Sequence, residues 1–209
     1  MPVKIKTVFQ DLVIKTMVSR PGIMRSKLFL QVMKIFPEMI SARYDASVVK
    51  GEGNYKNVIR AGLMSIQNPP RRILDLCTGT GVATFIASQV FPEAKIVAVD
   101  QSEGMLKIAQ AKADKTGLSS IEFKLGNVMQ LAEPYASFDM VISSNAPVYL
   151  SEIARVLTPG GIFMTAFFFG GLSFVKLGKE LSALLGKHGL RLLALQSVGE
   201  GVYILSEKA

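Results

Sequence analysis

An apolar strand that runs into a glycine-rich turn, ILDLCTGTG at residues 73–81, constrains the fold of this chain more than any other segment. The apolar residues predict a short buried strand with Asp75 near its end, and Gly79 and Gly81 allow a sharp turn. The next residues, Val82 to Phe91, predict a helix whose free N–H groups point back toward the turn. A strand, a glycine loop and a helix in this order are typical of cofactor binding in a Rossmann-like sheet.

The residues of this loop discriminate between two kinds of nucleotide cofactor. A dinucleotide fingerprint has a third glycine for close packing of helix on strand, and this chain has Thr84 at that position. Asp75 would repel a pyrophosphate, but it suits a ligand that carries positive charge at that point. S-adenosylmethionine, with its ammonium and sulfonium groups, meets this requirement. The alternative is an ordinary strand–turn–helix in which the glycines serve geometry alone.

A second apolar strand, Lys95 to Asp100, also ends in an acid. Asp100 lies about twenty residues beyond the first glycine, the spacing at which a carboxylate binds ribose hydroxyls, and this spacing fits a dinucleotide equally well. Ser102 is suited to cap the helix that follows. Met105 falls on the apolar face of that helix, where it either packs in the core or contacts an adenine.

The remaining segments continue the alternation of strand and helix. Strands are predicted at 121–128, 138–146 and 162–169, with a helix at 152–161 that stops at Pro159-Gly160. A helix at 174–187 then precedes two strands, at 190–198 and 202–206. The tight turn between these two strands demands antiparallel pairing.

Together these segments resemble the class I S-adenosylmethionine-dependent methyltransferases, and among them the small-molecule group that includes the ubiquinone/menaquinone-biosynthesis C-methyltransferases. The resemblance covers roughly residues 40–209 and is carried by LDLCTGTG, VAVDQSEGML, a GN corner, FDMVISSNA and EIARVLTPGG in family-like order. It implies an α/β fold, with a Rossmann-like seven-stranded, mostly parallel sheet, an antiparallel last strand and helices on both faces. Residues 71–209 would form the S-adenosylmethionine-binding domain, and residues 1–70 an N-terminal basic helical cap or lid.

The resemblance also implies the cofactor, S-adenosylmethionine, and the residues that bind it. Those residues are Asp75, Cys77, Thr78, Gly79, Gly81, Asp100, Gln101, Met105, Asn127, Val128 and Ser143. Asp75 and the loop would hold the methionine part, and Asp100 the ribose hydroxyls. Gln101 and Met105 would flank the adenine, whose edge would meet the corner at 127–128. Many members have Asp where this chain has Asn127, but an amide oxygen accepts the same hydrogen bond.

The acceptor side is predicted at the end of the strand at 138–146. Asn145 and Tyr149 are the candidate catalytic residues, which would orient the acceptor, and Tyr44 is the candidate lid residue. Only NAPVYLSEIARVLT separates this strand from Pro159, a shorter wall than the family usually has. The hydrophobic composition and the short wall favour a small apolar or aromatic acceptor, methylated by in-line displacement.

Basic charge is concentrated in the first third of the chain. Residues 1–72 contain 13 Lys/Arg and 4 Asp/Glu, whereas residues 73–209 contain 11 and 12. Amphipathic helices are predicted at 7–18 and 24–36. This segment is a cap packed on the sheet, a lid that touches an anionic membrane surface, or a nucleic-acid contact. Nucleic acid is the least favoured, because no RNA-binding module is recognisable.

Composition narrows the remaining classes of function. The chain has 209 residues, enough for one α/β domain with a small extension, and no run of 18 to 20 apolar residues. Charges near the start argue against a signal peptide, so we expect a cytoplasmic protein with membrane association as an option. One cysteine predicts no disulfide and no metal site. The absence of a YxxxK motif argues against a short-chain oxidoreductase, and a methyltransferase of RNA or protein or a non-catalytic nucleotide-binding module remain the alternatives.

Overall fold

The computed structural model describes Gly22, Ser26 and residues 52–209. The predicted lid residue Tyr44 lies outside the described residues, as do the predicted basic helices at 7–18 and 24–36 apart from Ser26. Residues 52–209 alternate between helices and strands around one sheet.

The strands of this sheet are β1 (Arg72–Leu76), β2 (Lys95–Asp100), β3 (Ile121–Leu125), β4 (Phe138–Ser144), β5 (Leu157–Phe167), β6 (Leu190–Val198) and β7 (Gly201–Lys208). The helices of the described residues are α1 (Glu52–Met64), α2 (Val82–Val90), α3 (Glu103–Thr116), α4 (Leu150–Val156), α5 (Gly171–Lys176) and α6 (Gly178–Gly186).

The sheet is doubly wound. Its strand order is β3-β2-β1-β4-β5-β7-β6, and β1 to β5 run parallel while β7 pairs antiparallel with both β5 and β6. The direction of winding reverses between β1 and β4, which are neighbours. A crevice therefore opens beyond the carboxyl ends of these two strands, and open α/β sheets bind their ligands at this point.

Local signals in the sequence explain where α3 begins and ends. The Ser102 hydroxyl accepts a hydrogen bond from the Met105 N–H at 3.2 Å, which caps the first turn. Gly117 ends the helix in a left-handed conformation (φ 67°) that glycine adopts without strain. The capped start holds α3 directly behind the carboxyl end of β2.

The core has two parts, one on each face of the sheet. One face packs against α1 and α2, and its fully buried members include Ile59, Leu63 and Met140. The other face packs against α4, α5 and α6, with Phe138 and Phe163 among its largest buried side chains. Burial on both faces explains why the central strands read as continuous apolar runs.

The predicted helix at 152–161 is wrong at its end. The helix stops at Val156, and Leu157 already pairs with Phe138 as the first residue of β5. The register then shifts, because Pro159 and Gly160 (φ 75°) bulge out before the pairing resumes. The proline–glycine pair thus marks a bulge inside a strand, not the stop of a helix.

Three further boundaries differ from the predictions. The predicted helix at 174–187 is two helices that meet at Leu177. The strands predicted to reach 128 and 146 end at Leu125 and Ser144. These shorter strands leave Asn127 and Asn145 in the loops at the carboxyl edge of the sheet.

The predicted fold class is confirmed. The sheet has seven strands, mostly parallel, with antiparallel final strands and helices on both faces. Helix α1, at residues 52–64, packs on β5 and β7 within the same core. Within residues 52–209, no helix has the length and apolar character needed to span a membrane.

Candidate cofactor and acceptor site

The loop after β1 has the backbone geometry of a ligand cradle. Gly79 (φ 56°) and Gly81 (φ 86°) both adopt left-handed conformations, which produce the sharp turn expected of these glycines. The loop is tied to the neighbouring strand, because the Thr78 N–H donates to the Val99 carbonyl at 3.1 Å. Lys112 on α3 also donates to the Thr80 carbonyl at 3.2 Å. These contacts fix the path of the loop above β1 and β2.

Cys77 also has a positive φ, at 55°, which is uncommon for any residue except glycine. Such a conformation stores about 1 to 2 kcal/mol and is found most often near functional sites. Burial, followed by the charges of Asp100 and Asp75, raises the pKa of the Cys77 thiol. The thiol therefore stays neutral near pH 7, which fits a packing role in the loop.

We predict that alanine substitutions at the two loop glycines destabilise the protein unequally. At Gly79 an added Cβ meets no atom within 4 Å, so Gly79→Ala carries only the conformational cost of about 1 kcal/mol. At Gly81 the added Cβ would lie 2.6 Å from the Phe85 ring, so Gly81→Ala should cost about 2 to 3 kcal/mol. Urea denaturation measures the free energy of unfolding of both variants. An equal decrease in the two variants would contradict this geometry.

Asp100, at the end of β2, is buried and accepts hydrogen bonds from backbone groups. The Gly79 N–H donates to Oδ2 at 2.8 Å, and the Ser102 N–H donates to Oδ1 at 2.9 Å. The Asp100 carbonyl also accepts from the Gly126 N–H at 2.9 Å. The carboxylate thus joins the glycine loop to the start of α3, and the backbone of the same residue reaches the end of β3. A carboxylate oxygen can accept more than one hydrogen bond, so Asp100 suits hydroxyl donors.

Asp75 lies beneath the glycine loop with 1% of its surface exposed. Its Oδ2 accepts hydrogen bonds from the hydroxyls of Thr78 at 2.8 Å and Thr84 at 2.5 Å. Burial raises the pKa of the Asp75 carboxyl to about 6, against the lowering effect of these two hydroxyls, and the charge of Asp100 raises it further. Oδ1 has no hydrogen-bond partner among the described residues. A cationic group near the loop would stabilise the ionised form.

The predicted adenine residues surround the edge formed by β2 and β3. Met105 is buried, whereas Gln101 and Asn127 are exposed. The Asn127 amide oxygen accepts from the Met129 N–H at 3.0 Å, so an adenine amine would have to use its second lone pair. Val128 is half-buried and packs against the core.

The segment after Val128 is held in place by α4. The Leu131 N–H donates to Glu152 Oε2 at 2.8 Å, and Arg155 donates to the Leu131 and Glu133 carbonyls at 3.0 and 2.7 Å. Arg155 also pairs with Glu152 at 2.9 Å. This network positions the loop that follows the predicted adenine corner.

The predicted acceptor-side residues Asn145 and Tyr149, and the predicted cofactor-binding residue Ser143, lie near the end of β4 and the start of α4. Ser143 is buried, and its hydroxyl has no hydrogen-bond partner among the described residues. The Asn145 amide oxygen accepts from the Phe168 N–H at 3.0 Å, which leaves its NH₂ group as the donor for an acceptor molecule. Tyr149 is buried at the start of α4, where its carbonyl accepts from the Glu152 and Ile153 N–H groups.

An aromatic cluster borders this acceptor side. Phe168 contacts Tyr55 and Phe169 edge-on, with ring centroids 6.1 and 5.2 Å apart, and Phe167 stacks on Phe174 at 5.0 Å. The Tyr55 hydroxyl lies 2.8 Å from the Ser144 hydroxyl. Phe168 remains 47% exposed, so part of its ring faces solvent beside this cluster.

The structure thus brings together the residues predicted around the glycine loop, and it adds two groups that the sequence did not reveal. Thr84, noted only as a missing glycine, is fully buried and bonds to Asp75. Its polar hydroxyl among the apolar residues of the first turn of α2 was the available signal. Tyr55 and Phe168 are far apart in sequence and meet only in the fold, so no spacing could have indicated them.

Comparison with known proteins identifies the family. The sequence profile described as "Methyltransferase domain" matches residues 68–176, about half of the chain. The chain belongs to this methyltransferase-domain family. The prediction of a class I methyltransferase from the sequence is therefore confirmed. The match spans the strands β1 to β5 and the glycine loop, and hence most of the site described above.

Among its relatives, this methyltransferase-domain protein is similar to demethylmenaquinone methyltransferases. It is 46% identical over 97 residues to that of Lactococcus lactis, covering 43% of this chain and 38% of the relative. It is 38% identical over 152 residues to that of Geobacillus stearothermophilus, covering 66% of this chain and 63% of the relative. The chain thus spans less than two thirds of the length of these relatives. The resemblance to the menaquinone group seen in the sequence is confirmed.

Solved structures support the fold alone. A SAM-dependent methyltransferase from Aquifex aeolicus superimposes with a TM-score of 0.56 at 20% identity, covering 66% of this chain and 82% of that chain. At this identity, similarity of fold does not transfer a substrate. The specific chemistry has to be argued from the site.

Proposed function

We propose that this chain transfers a methyl group from S-adenosylmethionine to a small apolar or aromatic acceptor by in-line displacement. The observation that carries the proposal is the pair of buried acids, Asp75 and Asp100, on adjacent strands around a left-handed glycine loop. Asp100 suits the ribose hydroxyls, and Asp75 suits positive charge at the methionine end.

Features of the chain fit this cofactor. Gly79 has no atom within 4 Å of the position where a side chain would project, so the loop backbone is open to close approach. The buried Oδ1 of Asp75 lacks a hydrogen-bond partner among the described residues, and a nearby cation would compensate for this. In this proposal Gln101 and Met105 flank the adenine, and the corner at 127–128 meets its edge.

The chemistry requires alignment more than activation. When bound, the sulfonium supplies a methyl group that is already activated toward a nucleophile. The protein has to hold the acceptor in line and exclude water. Such alignment can lower the activation free energy by about 7–11 kcal/mol. We assign the orienting role to the Asn145 amide and Tyr149, with Ser143 lining the wall beside them. Ring contacts from Phe168 would hold the acceptor flat.

A quinone-type acceptor is favoured by two independent observations. The exposed face of Phe168 continues into the cluster with Tyr55 and Phe169, a surface suited to a planar aromatic ring. Relatives that share 38% and 46% identity over the matched regions are demethylmenaquinone methyltransferases. The link between β4 and α4 is only five residues, 145–149, so the wall on this side is short.

A direct assay tests the proposal. The full chain is incubated with S-adenosylmethionine carrying a labelled methyl group and, in separate reactions, with a reduced demethylnaphthoquinone, bulk RNA or denatured protein. We expect label in the quinol, with a mass gain of one methylene unit, and none with Asp100→Ala. Label only in RNA or protein would support the alternative methyltransferases. Nucleotide binding without transfer to any of the three would support the non-catalytic module.

We predict that Phe168→Ala raises the KM for the aromatic acceptor about threefold to tenfold, because one aromatic contact is worth about 0.5–1.5 kcal/mol. The Kd for the cofactor should not change. Tyr135→Ala is the matched control, because this tyrosine is 67% exposed and precedes β4, at the opposite edge of the sheet. Steady-state kinetics at saturating cofactor measure the effect, and an equal KM change in both variants would argue against a role of Phe168 in binding.

We further propose that the basic first third of the chain, residues 1–70, serves as a cap that contacts an anionic membrane surface, with Tyr44 as its lid residue. The proposal is supported by the 13 basic and 4 acidic residues at positions 1–72 and by the lipophilic character of the proposed acceptor. Co-sedimentation of the full chain with vesicles tests it. Binding should need anionic lipid and fall with salt, and equal binding to neutral vesicles would contradict it.

A further inference from the structure

Three oxygen atoms beneath the glycine loop form a closed triangle. The Oδ2 of Asp75 lies 2.8 Å from the Thr78 hydroxyl and 2.5 Å from the Thr84 hydroxyl, and the two hydroxyls are 2.7 Å apart. All three side chains are buried. Each edge of the triangle is therefore within hydrogen-bonding distance and shielded from water.

The number of protons available does not match the number of contacts when Asp75 is ionised. Two hydroxyls supply two hydrogens for three edges, so one edge lacks a hydrogen. A protonated carboxyl supplies the third hydrogen, and rotation of the hydroxyls can then fill every edge. The same hydroxyls can both donate to the carboxylate once the proton has left. Thr78 and Thr84 thus accommodate both forms of the acid.

We propose that Thr78 and Thr84 are positioning residues that make the proton of buried Asp75 exchangeable, so that binding of the cationic cofactor releases this proton to solvent. The inference rests on the proposed function, because it assumes S-adenosylmethionine as the ligand. In this step the carboxyl O–H bond of Asp75 breaks and the proton passes to water or buffer. Both threonine hydroxyls then turn to donate to the carboxylate.

The groups around Asp75 favour such an exchange. Asp100 on the neighbouring strand disfavours a second negative charge, and the Cys77 thiol stays neutral. Lys112 from α3 approaches the loop through the Thr80 carbonyl. Helix α2 (VATFIASQV) has no titratable side chain, and Asp75 pairs with Ile142 on β4. The pKa of Asp75, raised to about 6 by burial, places the proton near the point of release.

The sign of the pH effect follows. Because the bound cation favours the ionised carboxylate, the cofactor must displace a proton below about pH 6. The Kd of the cofactor should then rise about tenfold for each unit by which the pH is lowered below this point. S-adenosylhomocysteine lacks the sulfonium charge and should show a weaker dependence. The two ligands differ in little else, so their comparison isolates the effect of charge.

Calorimetry in buffers of different ionisation enthalpy measures the proton directly. For wild type at about pH 5.5 we expect release of more than half a proton per S-adenosylmethionine bound, falling toward zero near pH 7. Asp75→Asn should remove this release, whereas Asp114→Asn on the exposed surface of α3 should keep it. Release that persists in Asp75→Asn, or is absent in wild type, would overturn the inference. Absence of any cofactor binding would instead contradict the proposed function.

A matched pair at position 84 tests the role of the hydroxyl. Thr84→Val removes it without changing the shape, and Thr84→Ser retains it. NMR titration of the Asp75 carboxyl carbon in the cofactor-free protein should give a higher pKa in Thr84→Val than in wild type and an unchanged pKa in Thr84→Ser. This readout does not depend on cofactor binding or activity. Equal pKa values in all three proteins would overturn the role assigned to Thr84.

Discussion

Replacing Asp100 with alanine is expected to weaken the binding of S-adenosylmethionine at least about a hundredfold. A carboxylate that accepts from two ribose hydroxyls makes hydrogen bonds worth about 1.5–3 kcal/mol each. The variant also loses the acceptor of the Gly79 and Ser102 N–H groups, so the glycine loop and the start of α3 lose their shared anchor. Both effects act on the same ligand, and titration calorimetry measures their sum.

Two controls separate binding from folding in this experiment. Asp100→Asn keeps a side-chain oxygen for one backbone N–H, so it should fold like wild type and still bind the cofactor weakly. Asp114→Asn removes a charge from the exposed surface of α3 and should bind normally. Wild-type affinity in a folded Asp100→Ala variant would falsify the assignment of the ribose site.

The second large effect concerns stability. Asp75→Asn is expected to make the protein more stable than wild type near pH 7.5, by about 2 kcal/mol, because it removes a carboxylate that is ionised and buried there. The folded-state pKa is about 6, above the ordinary value of 3.8. The folded protein therefore holds more protons than the unfolded chain between about pH 4 and 6. Wild-type stability should fall by about 2 to 3 kcal/mol as the pH rises through this window and then level off.

Chemical denaturation at about pH 4.5, 6 and 7.5 measures this dependence. The wild-type free energy of unfolding should decrease across the series, and Asp114→Asn, which keeps Asp75, should show the same decrease. Asp75→Asn should lack that decrease, while its affinity for the cofactor drops. An Asp75→Asn variant that is less stable than wild type at pH 7.5 would mean that the ionised carboxylate contributes stability. Binding sites commonly contain residues that lower the stability of the protein but are needed for its function.

Much of the fold could be predicted from local patterns. Strand β1, the glycine loop and strand β2 were recognisable because buried parallel strands appear as continuous apolar runs that end at polar residues. Ser102 and Gly117 mark the ends of α3 through general capping preferences. The antiparallel pairing of β6 and β7 followed from the short turn between them.

The errors came from segments where tertiary contacts override local signals. Pro159 and Gly160 are a usual helix stop, but here Leu157 is drawn into the sheet by pairing with Phe138, and the proline–glycine pair bulges. In the same way, the long predicted helix near the end of the chain is broken at Leu177, with Phe174 held against Phe167 on one side of the break.

The candidate site was predictable only in part, for a physical reason. The sequence pattern identifies Asp75, Asp100 and the two loop glycines, because they interrupt or follow continuous apolar strands. Thr84 is harder to recognise, because its position in the first turn of the helix is a weak signal that does not tell whether its hydroxyl meets water or a buried acid. The roles of Asn145 and Tyr149 stay predictions, since the ligand partners of a half-buried amide and a buried phenol depend on the acceptor.

Helix α1 has a consequence for how the two parts of the chain cooperate. Tyr55, in its first turn, contacts Ser144 and Phe168, so the start of α1 lies at the carboxyl edge of the sheet. The chain therefore enters the described fold at this edge of the sheet, where residue 52 begins α1. Under the membrane contact proposed above, covalent attachment at this point would raise the effective concentration of an anionic surface near the aromatic cluster. Recruitment of that surface and entry of a lipophilic acceptor would then share one edge of the sheet.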